Sequence, residues 1–526
     1  VKGIKMLKRN VLTVILVILV IAGASAQASI LAQTSVPSFP GAEGFGANTV
    51  GGRGGRVHIV TNTNDSGAGS LRECVAASGA RTCIFDIGGL IALSNTLQVT
   101  NPYLTIAGQT APSGGVTIKG EISIQTHDVI IRYISVRRGP GGSNHAIQVA
   151  KNGTELYNII IDHVSLSWGT DSVIETWYRA KDVTFSWLIV SEGLNCSTHS
   201  KGCHSKGLMI GGYKGSESGG KGSENISVLN NLMAHNADRN PLMQLCGVAQ
   251  VIGNTTYDPM YTFSHQQLNC VSGMSYVNWV NNYHKRGPSS TSSSDLKIIP
   301  ADEGTCGAGK AYISGNYGNS SGGAWSQSMS GSCAGRTDII VTVPAPAPVV
   351  ISVSAIDSYN NVLASAGNSR GVDCGGNWYA RRDVIDARIV NEVKTGTGKI
   401  IDNPSQVGGW IIPAIGATCT DTDRDGIPDA WEIAHGLNPS LQDSNLVAAS
   451  GYTWLEEFFN GMEGAPAPIT PTPTRTPTPT FTPTGTPTLT PTRTPTSTAI
   501  HTSTFTPTPE CFVLDTHVGR IEVCIP

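Results

Sequence analysis

The chain has 526 residues, of which 14% are charged, 61 are glycine and 12 are cysteine, and its formal net charge is −3. That near-neutral balance argues against nucleic acid as a partner, since nucleic acid normally meets a strongly basic surface. An acidic polymer would have to be met by local cations, and the length allows one large domain of elongated β type plus appendages.

At the N-terminus Lys5, Lys8 and Arg9 precede an apolar run over 11–22, and Ala24-Ser25-Ala26 offers small residues for cleavage. This is the layout of a secretory signal peptide over 1–26, with Met6 read as the true start. The apolar run falls short of the roughly 20 residues a spanning helix needs, so no stable membrane insertion is expected after cleavage. An exported, extracellular chain can form disulfides. Cys74 with Cys83, and Cys196 with Cys203, are near enough in sequence to close small loops, while the overall connectivity stays open. No CxxC spacing occurs, which argues against zinc.

From Pro37 to about residue 412 little helical periodicity is visible. Short apolar or alternating runs are separated by Gly, Asn, Asp and Ser, the composition of strands and turns. The runs VIIRYISVRRG (129–139), IIIDHVSLSWG (159–169), VTFSWLIVSEG (183–193), NISVLNNLMAHN (225–236), VIGNTTYD (251–258), YVNWVNNYH (276–284) and YISGNYGN (312–319) resemble one another. One strand-and-turn unit repeating at such a period predicts a solenoid, specifically a parallel β-helix over 37–419. Within 183–190 the odd positions Val183, Phe185, Trp187 and Ile189 are apolar, while Thr184 and Ser186 are polar. Period-two geometry then buries one face of this strand and leaves part of the other wet. Asn231, Asn254, Asn282 and Asn316 follow similar strands at one phase, which predicts a stacked amide ladder rather than isolated turn asparagines.

Composition changes again at Thr420. Asp421, Asp423, Asp425, Gly426, Asp429 and Glu432 fit the calcium-loop pattern D-x-D-x-D-G-x5-E at every anchor. After Glu432 only Ile433–His435 precede Gly436 and Pro439, so a structural calcium clip over 420–462 is expected rather than a regular EF-hand sensor. Residues 465–509 are almost pure Pro-Thr, an extended linker that cannot bury a core. Residues 510–526 are too short to fold independently, although Cys511 and Cys524 could close them.

The chemistry concentrates in 159–210 and at Arg239. Three acids there, Asp162, Asp171 and Glu175, are candidates for a hard cation, which takes six to eight oxygens. On a straight strand Asp171 and Glu175 would stand about 13 Å apart. They share an ion only if the chain bends at Trp168-Gly169-Thr170, or if one acid lies in the turn before the strand. Solvated surface acids fit the residues equally well. His145, His163, His204 and His265 are weaker candidates for a base, and an Asp162/Asp171 glycosidase pair lacks an apolar pocket to keep one acid protonated. Trp168, Trp177, Tyr178 and Tyr213 would stack on sugar or pack in the core.

FPGAEGFGANTVGGRGG from Phe39, IFDIGGLIALSNTLQVTNPYLTIAGQTAP from Ile84 and RRDVIDARIVNEVKTGTGKIID from Arg381 carry a resemblance that extends over 39–460. The chain resembles the family one polysaccharide lyases, the pectate lyases. The resemblance implies a right-handed parallel β-helix that acts as a monomer on polygalacturonate. It implies that Asp162, Asp171 and Glu175 bind a catalytic calcium and that Lys206, with Gly211 five residues on, binds a substrate carboxylate. It further implies that Arg239, two residues before Pro241, removes the proton. Gln244 stands where family members often carry another substrate-gripping arginine, which bears on subsite preference, and Lys201 rivals Lys206. The implied reaction is β-elimination, in which the C5 proton of galacturonate leaves beside an existing carboxylate and the C4 oxygen departs. A cation neutralises that charge in the transition state. Arginine normally stays protonated, but neighbouring cations disfavour its charged form, which implies an alkaline optimum. The alternatives are a pectin lyase or other uronate-polymer lyase, and a non-catalytic carbohydrate-binding β-helix.

Overall fold

The computed structural model describes residues 36–461 apart from 143, 212–221, 269, 271–272, 302–303 and 319–322, and the backbone of 510–516 and 519–525. The signal-peptide segment 1–26, the Pro-Thr segment 465–509 and Tyr213 lie outside the described residues.

The repeated runs turn corners through single residues in the left-handed region. Tyr133, His163, Trp187, Asn230 and Asn281 have φ of 52°, 51°, 54°, 54° and 53°. That conformation reverses the side-chain phase, so the next residue of each run (Ile134, Val164, Leu188, Asn231, Asn282) is buried. Before the corner, 129–132 pairs in parallel with 159–162, which pairs with 183–186 and so on to 226–229. After it, Ser135–Arg137, Ser165–Ser167, Ile189–Ser191 and Leu232–Ala234 stack in the same order. A third parallel face joins Ile122–Ile124, 147–150, 174–177 and 208–210. Three stacked parallel faces make a parallel β-helix, as the repeats predict. Alternate residues such as Ile147, Val149, Ile159, Ile161, Val183 and Phe185 fill its interior. Each such side chain contributes roughly 1.5–3 kcal/mol of burial.

The amide ladder is present. Asn231 Nδ2 donates to Asn254 Oδ1 (2.8 Å), Asn254 Nδ2 to Asn282 Oδ1 (2.9 Å) and Asn282 Nδ2 to Asn316 Oδ1 (2.8 Å). Each step also binds backbone, as when Asn254 Nδ2 donates to Val228 O and Asn231 N donates to Asn254 Oδ1. The strand over 183–190 departs from expectation. It ends at Ser186, Trp187 turns the corner, and its polar face is dry. The segment after Phe39 lies over that face. Gly46 N donates to Thr184 Oγ1 at 2.9 Å, and a Cβ at Gly46 would meet Ile159 O at 2.5 Å.

Among the described residues three α-helices fall where little helical periodicity was visible: Leu71–Ala76 between the first strands, and two more after the last coil strand Ile340–Val341. Ala355–Ser365 starts at the Ser354 cap, and Val384–Thr395 runs from the Asp383 cap to Gly396 in the left-handed conformation. Ile389, Val390 and Val393 bury against Ile189, Leu232, Ala234 and Tyr257, covering the outside of one sheet. Among the described residues five disulfides are formed: the two small loops Cys74–Cys83 and Cys196–Cys203, and Cys246–Cys270, Cys306–Cys333 and Cys374–Cys419. The segment 420–461 packs on the first coils, with Ile427, Trp431, Leu455, Phe458 and Phe459 in one cluster with Ile84, Ala107 and Val372. Strands Glu510–Thr516 and Gly519–Ile525 form an antiparallel hairpin with Cys511 opposite Cys524. Among the described residues no helix is long and apolar enough to cross a membrane.

Candidate active site

The parallel face carrying 147–150, 174–177 and 208–210 opens onto a cleft of about 660 Å³. Asp171, Glu175, Arg239, Gln244, His145 and Lys201 line it. Asp171 occupies the turn just before strand Ser172–Ser186, held there by Asp171 N donating to Asn144 O at 3.1 Å. Glu175 lies within the strand, its side chain directed to the same cleft. The bend therefore does bring the two acids to one opening.

Asp171 is surrounded by nitrogen. His204 Nε2 stands 3.1 Å from Oδ1, His199 Nε2 3.3 Å from Oδ2, and Arg239 Nη1 3.6 Å from Oδ1. Burial pushes this carboxyl up, but the His204 hydrogen bond and the charges of His145 and Arg239 hold it well below the usual carboxylate range. Glu175 Oε1 accepts from Gln148 Nε2 (2.9 Å) and faces His145 Nε2 (3.3 Å). His145 Nδ1 faces Ser172 O at 2.9 Å, so both its nitrogens meet oxygen acceptors. His199 Nδ1 accepts from Lys201 N at 3.0 Å, which leaves Nε2 to carry the proton towards Asp171. That tautomer takes His199 out of any nitrogen-ligand set with His204. The disulfide Cys196–Cys203 closes the loop that presents His199 and Lys201.

Arg239 sits at φ 60°, a conformation that costs a non-glycine residue energy and persists where the surroundings fix it. Leu208 N donates to Arg239 O (2.7 Å) and Gly207 N to Asp238 O (2.9 Å). A Cβ at Gly207 would stand 2.6 Å from Asn240 Oδ1 and 2.7 Å from Arg239 O, so only glycine permits this approach. The guanidinium is aimed by Ser172 Oγ, which accepts from Nη1 at 3.0 Å.

Two expected site residues are placed elsewhere. Asp162 does not join Asp171 and Glu175: it closes the far end of strand Ile147–Asp162, 2% exposed, and is absent from the cleft lining. Its oxygens accept from Arg132 Nε (2.9 Å) and Ser186 Oγ (2.8 Å), and His163 Nδ1 lies 2.8 Å away. Burial raises this carboxyl, but His163 and Arg132 more than reverse that and leave it well below the ordinary range. The glycosidase-pair reading falls with it. Lys206 is drawn to Asp238 Oδ2 at 2.9 Å beside Arg239, whereas Lys201 lines the cleft. Behind them His265 stands 3.5 Å from Asp238, and burial pushes its pKa down to about 4. Trp177 and Tyr178 line the cleft, while Trp168 is fully buried and donates Nε1 to Glu192 Oε2 at 2.9 Å. Gln148, Ser172, Asp238 and His199 were not legible in the sequence as site residues, because nothing in their local pattern distinguishes them from strand and loop positions.

In the calcium-pattern loop, Asp421, Asp423 and Asp425 converge, each offering an oxygen within 4.8 Å of the others, and Asp425 and Glu432 converge in the same way with Asp443. Asp429 stands outside both groups, its two oxygens accepting from Thr422 N and Thr422 Oγ1, both at 2.7 Å. The helix Asp429–His435 begins inside the motif and stops at Gly436, so the long exit helix of an EF-hand is missing, as expected.

No protein-family model matches the chain. The chain is 34% identical over 443 residues to the probable pectate lyase C of Aspergillus fumigatus, covering 82% of this chain and 95% of that protein. It is 35% identical over 442 residues to the probable pectate lyase C of Aspergillus flavus, covering 82% and 94%. Among solved structures, the cedar pollen allergen jun a 1 matches at 19% identity and TM-score 0.46, covering 62% of this chain and 92% of that one. A pectate lyase from Bacillus sp. N165 in complex with trigalacturonate matches at 15% identity and TM-score 0.41, covering 62% and 98%; neither structural likeness carries weight at those scores. The extent and level of identity to the Aspergillus proteins are decisive: this chain is a polysaccharide lyase and belongs to the pectate lyase family.

Proposed function

We propose that the chain is an exported, calcium-dependent lyase that cleaves polygalacturonate by β-elimination, leaving a 4,5-unsaturated sugar end. The observation that carries this reading is one cleft that holds a positioned arginine, two carboxylates and the rings of Trp177 and Tyr178. Asp171 and Glu175 would hold the ion, and Gln148 Nε2 steadies Glu175 by donating to its Oε1. Carboxylates are oxygen ligands of the kind calcium takes, and substrate carboxylates and water would supply the rest. Calcium bound there neutralises the uronate carboxylate next to the carbon that loses its proton.

The chain's own groups do the remaining work. Arg239, fixed by Ser172 and the Gly207 approach, takes the C5 proton. Lys201 meets a substrate carboxylate from the loop side, and Lys206 holds Asp238 in place next to Arg239. Gln244 is 3% exposed, and its Oε1 has no hydrogen-bond donor. A neutral acceptor in that place suits a sugar hydroxyl better than a second carboxylate.

The test is ultraviolet absorbance during incubation with polygalacturonate at alkaline pH, with calcium and then with chelator. A calcium-dependent rise that Arg239→Ala lowers by 10²-fold or more, in line with loss of a general base at roughly 10²–10⁴-fold, is the expected result. New reducing ends without a rise would mean hydrolysis and would overturn the arginine role.

A further inference from the structure

We propose that Asp421, Asp423, Asp425, Glu432 and Asp443 bind one calcium ion that latches the C-terminal segment onto the first coils of the β-helix. This site is separate from the cleft and does not rest on the proposed catalytic reading.

The motif supplies the loop, but the side chains supply the argument. Glu432 is 0% exposed, and neither of its carboxylate oxygens has a hydrogen-bond donor. Asp421 Oδ1, Asp423 Oδ2 and Asp443 Oδ1 are likewise buried without a donor. Each aspartate is nonetheless held firmly by its other oxygen or by its backbone. Asp421 Oδ2 accepts from Gly426 N (3.0 Å) and Asp423 Oδ1 from Asp425 N (3.2 Å). Asp425 Oδ1 accepts from Ile427 N (3.1 Å) and its Oδ2 from Asp443 N (3.0 Å) and Ser444 N (2.8 Å), so this carboxylate offers remaining lone pairs rather than a bare oxygen. Oxygens left bare while their carboxylates are clamped define a preformed shell for a hard cation. Buried carboxylates without donors are otherwise costly. Asp443 lies outside the loop pattern and takes the place that the pattern gives to Asp429.

The same loop touches the solenoid. A Cβ on Gly426 would meet Val57 Cγ1 at 2.8 Å and Ile84 Cδ1 at 2.9 Å, so the loop backbone rests on the first strands. Arg53 Nε, also from the N-terminal part of the chain, donates to Glu456 Oε1 at 2.8 Å. An ion in this shell therefore ties residues 421–443 to each other and presses them on the coil beneath.

The experiment counts calcium bound to the full chain by equilibrium dialysis, and follows thermal unfolding in calcium and in chelator. It uses the cleft variant Asp171→Asn/Glu175→Gln as background, so failure of the catalytic reading and failure of this one stay distinguishable. In that background one equivalent of calcium should remain bound, and chelator should lower the melting temperature by roughly 3–5 °C. Adding Asp443→Asn or Glu432→Gln should abolish both, and adding Asp429→Asn should abolish neither. The wild-type chain gives a check that needs no variant: a melting temperature unmoved by chelator overturns the proposal. Retention of the equivalent in Asp443→Asn and Glu432→Gln, or its loss in Asp429→Asn, overturns it as well.

Discussion

Substituting Asp162 with asparagine separates a structural acid from a catalytic one. The change keeps the shape of the side chain and removes its charge, leaving Arg132 as a buried cation at 6% exposure. Among the described residues Arg132 pairs with no other carboxylate: its Nη1 donates to Asn460 Oδ1 at 2.8 Å, and its guanidinium lies 3.6 Å over the Phe39 ring. Breaking a buried pair by neutralising one partner costs about 3–5 kcal/mol. The Ser186 bond at 2.8 Å can survive on the amide oxygen, which puts the expected loss at the lower end, about 3 kcal/mol. Urea unfolding followed by tryptophan fluorescence should show a lowered midpoint, while turnover and calcium dependence of the folded fraction stay at wild-type level. The folded carboxyl is held below its unfolded value, so its contribution is present above about pH 4 and is lost as pH falls through the folded value. The gap between the two proteins should therefore close only well below pH 4. An Asp162→Asn protein with an unchanged midpoint but weakened calcium dependence would refute the reasoning and return Asp162 to the cleft.

Asn254→Ala removes the middle of the amide ladder and strips partners from Asn231 and Asn282; a loss of about 3 kcal/mol in urea unfolding is expected, and less than about 1 kcal/mol would show the ladder to be incidental. His235 is buried between Asp258 (2.9 Å) and Glu392 (3.2 Å); burial opposes its charge, but these acids raise its pKa to about 9. Its roughly 3 kcal/mol is fully present below about pH 6.5 and is lost as pH rises through 9, so urea midpoints should fall between pH 7 and 10, and less so in His235→Gln. Lys201→Ala should raise KM on polygalacturonate several-fold with little change in kcat, and Lys206→Ala should lower kcat; the opposite pattern would exchange their roles.

The repeated runs made the solenoid legible because a parallel β-helix asks the same thing of each coil: apolar residues inside, one left-handed corner, and an inward residue after it. The asparagines at that inward phase could be read as a ladder for the same reason. The helices Ala355–Ser365 and Val384–Thr395 were not read, although Asp383 and Gly396 mark the ends of the second, because a short helix lying on a sheet buries only a narrow stripe. The wet face assigned to 183–190 was wrong for a non-local reason. Period two says which side chains share a face, but not that residues 39–46 return to cover it.

The acids show where a pattern of residue types stops and physical chemistry has to decide. Asp162, Asp171, Asp429 and Glu432 all sit in motifs that name them as ligands, yet their surroundings sort them. Asp162 and Asp429 have both oxygens engaged by donors of the chain and stand outside the convergent groups of acids. Glu432 is buried with no donor on either oxygen, the state the proposed cation would satisfy. Asp171 lies between these cases. Its oxygens face the side chains of His199, His204 and Arg239, at 3.1 to 3.6 Å, and the proposed catalytic reading has these partners give way to an incoming ion and substrate. A latch calls for carboxylates such as Glu432, whose oxygens meet no donor of the chain whether or not substrate is bound. Catalysis calls for one such as Asp171, whose side-chain partners release it as the reaction site fills.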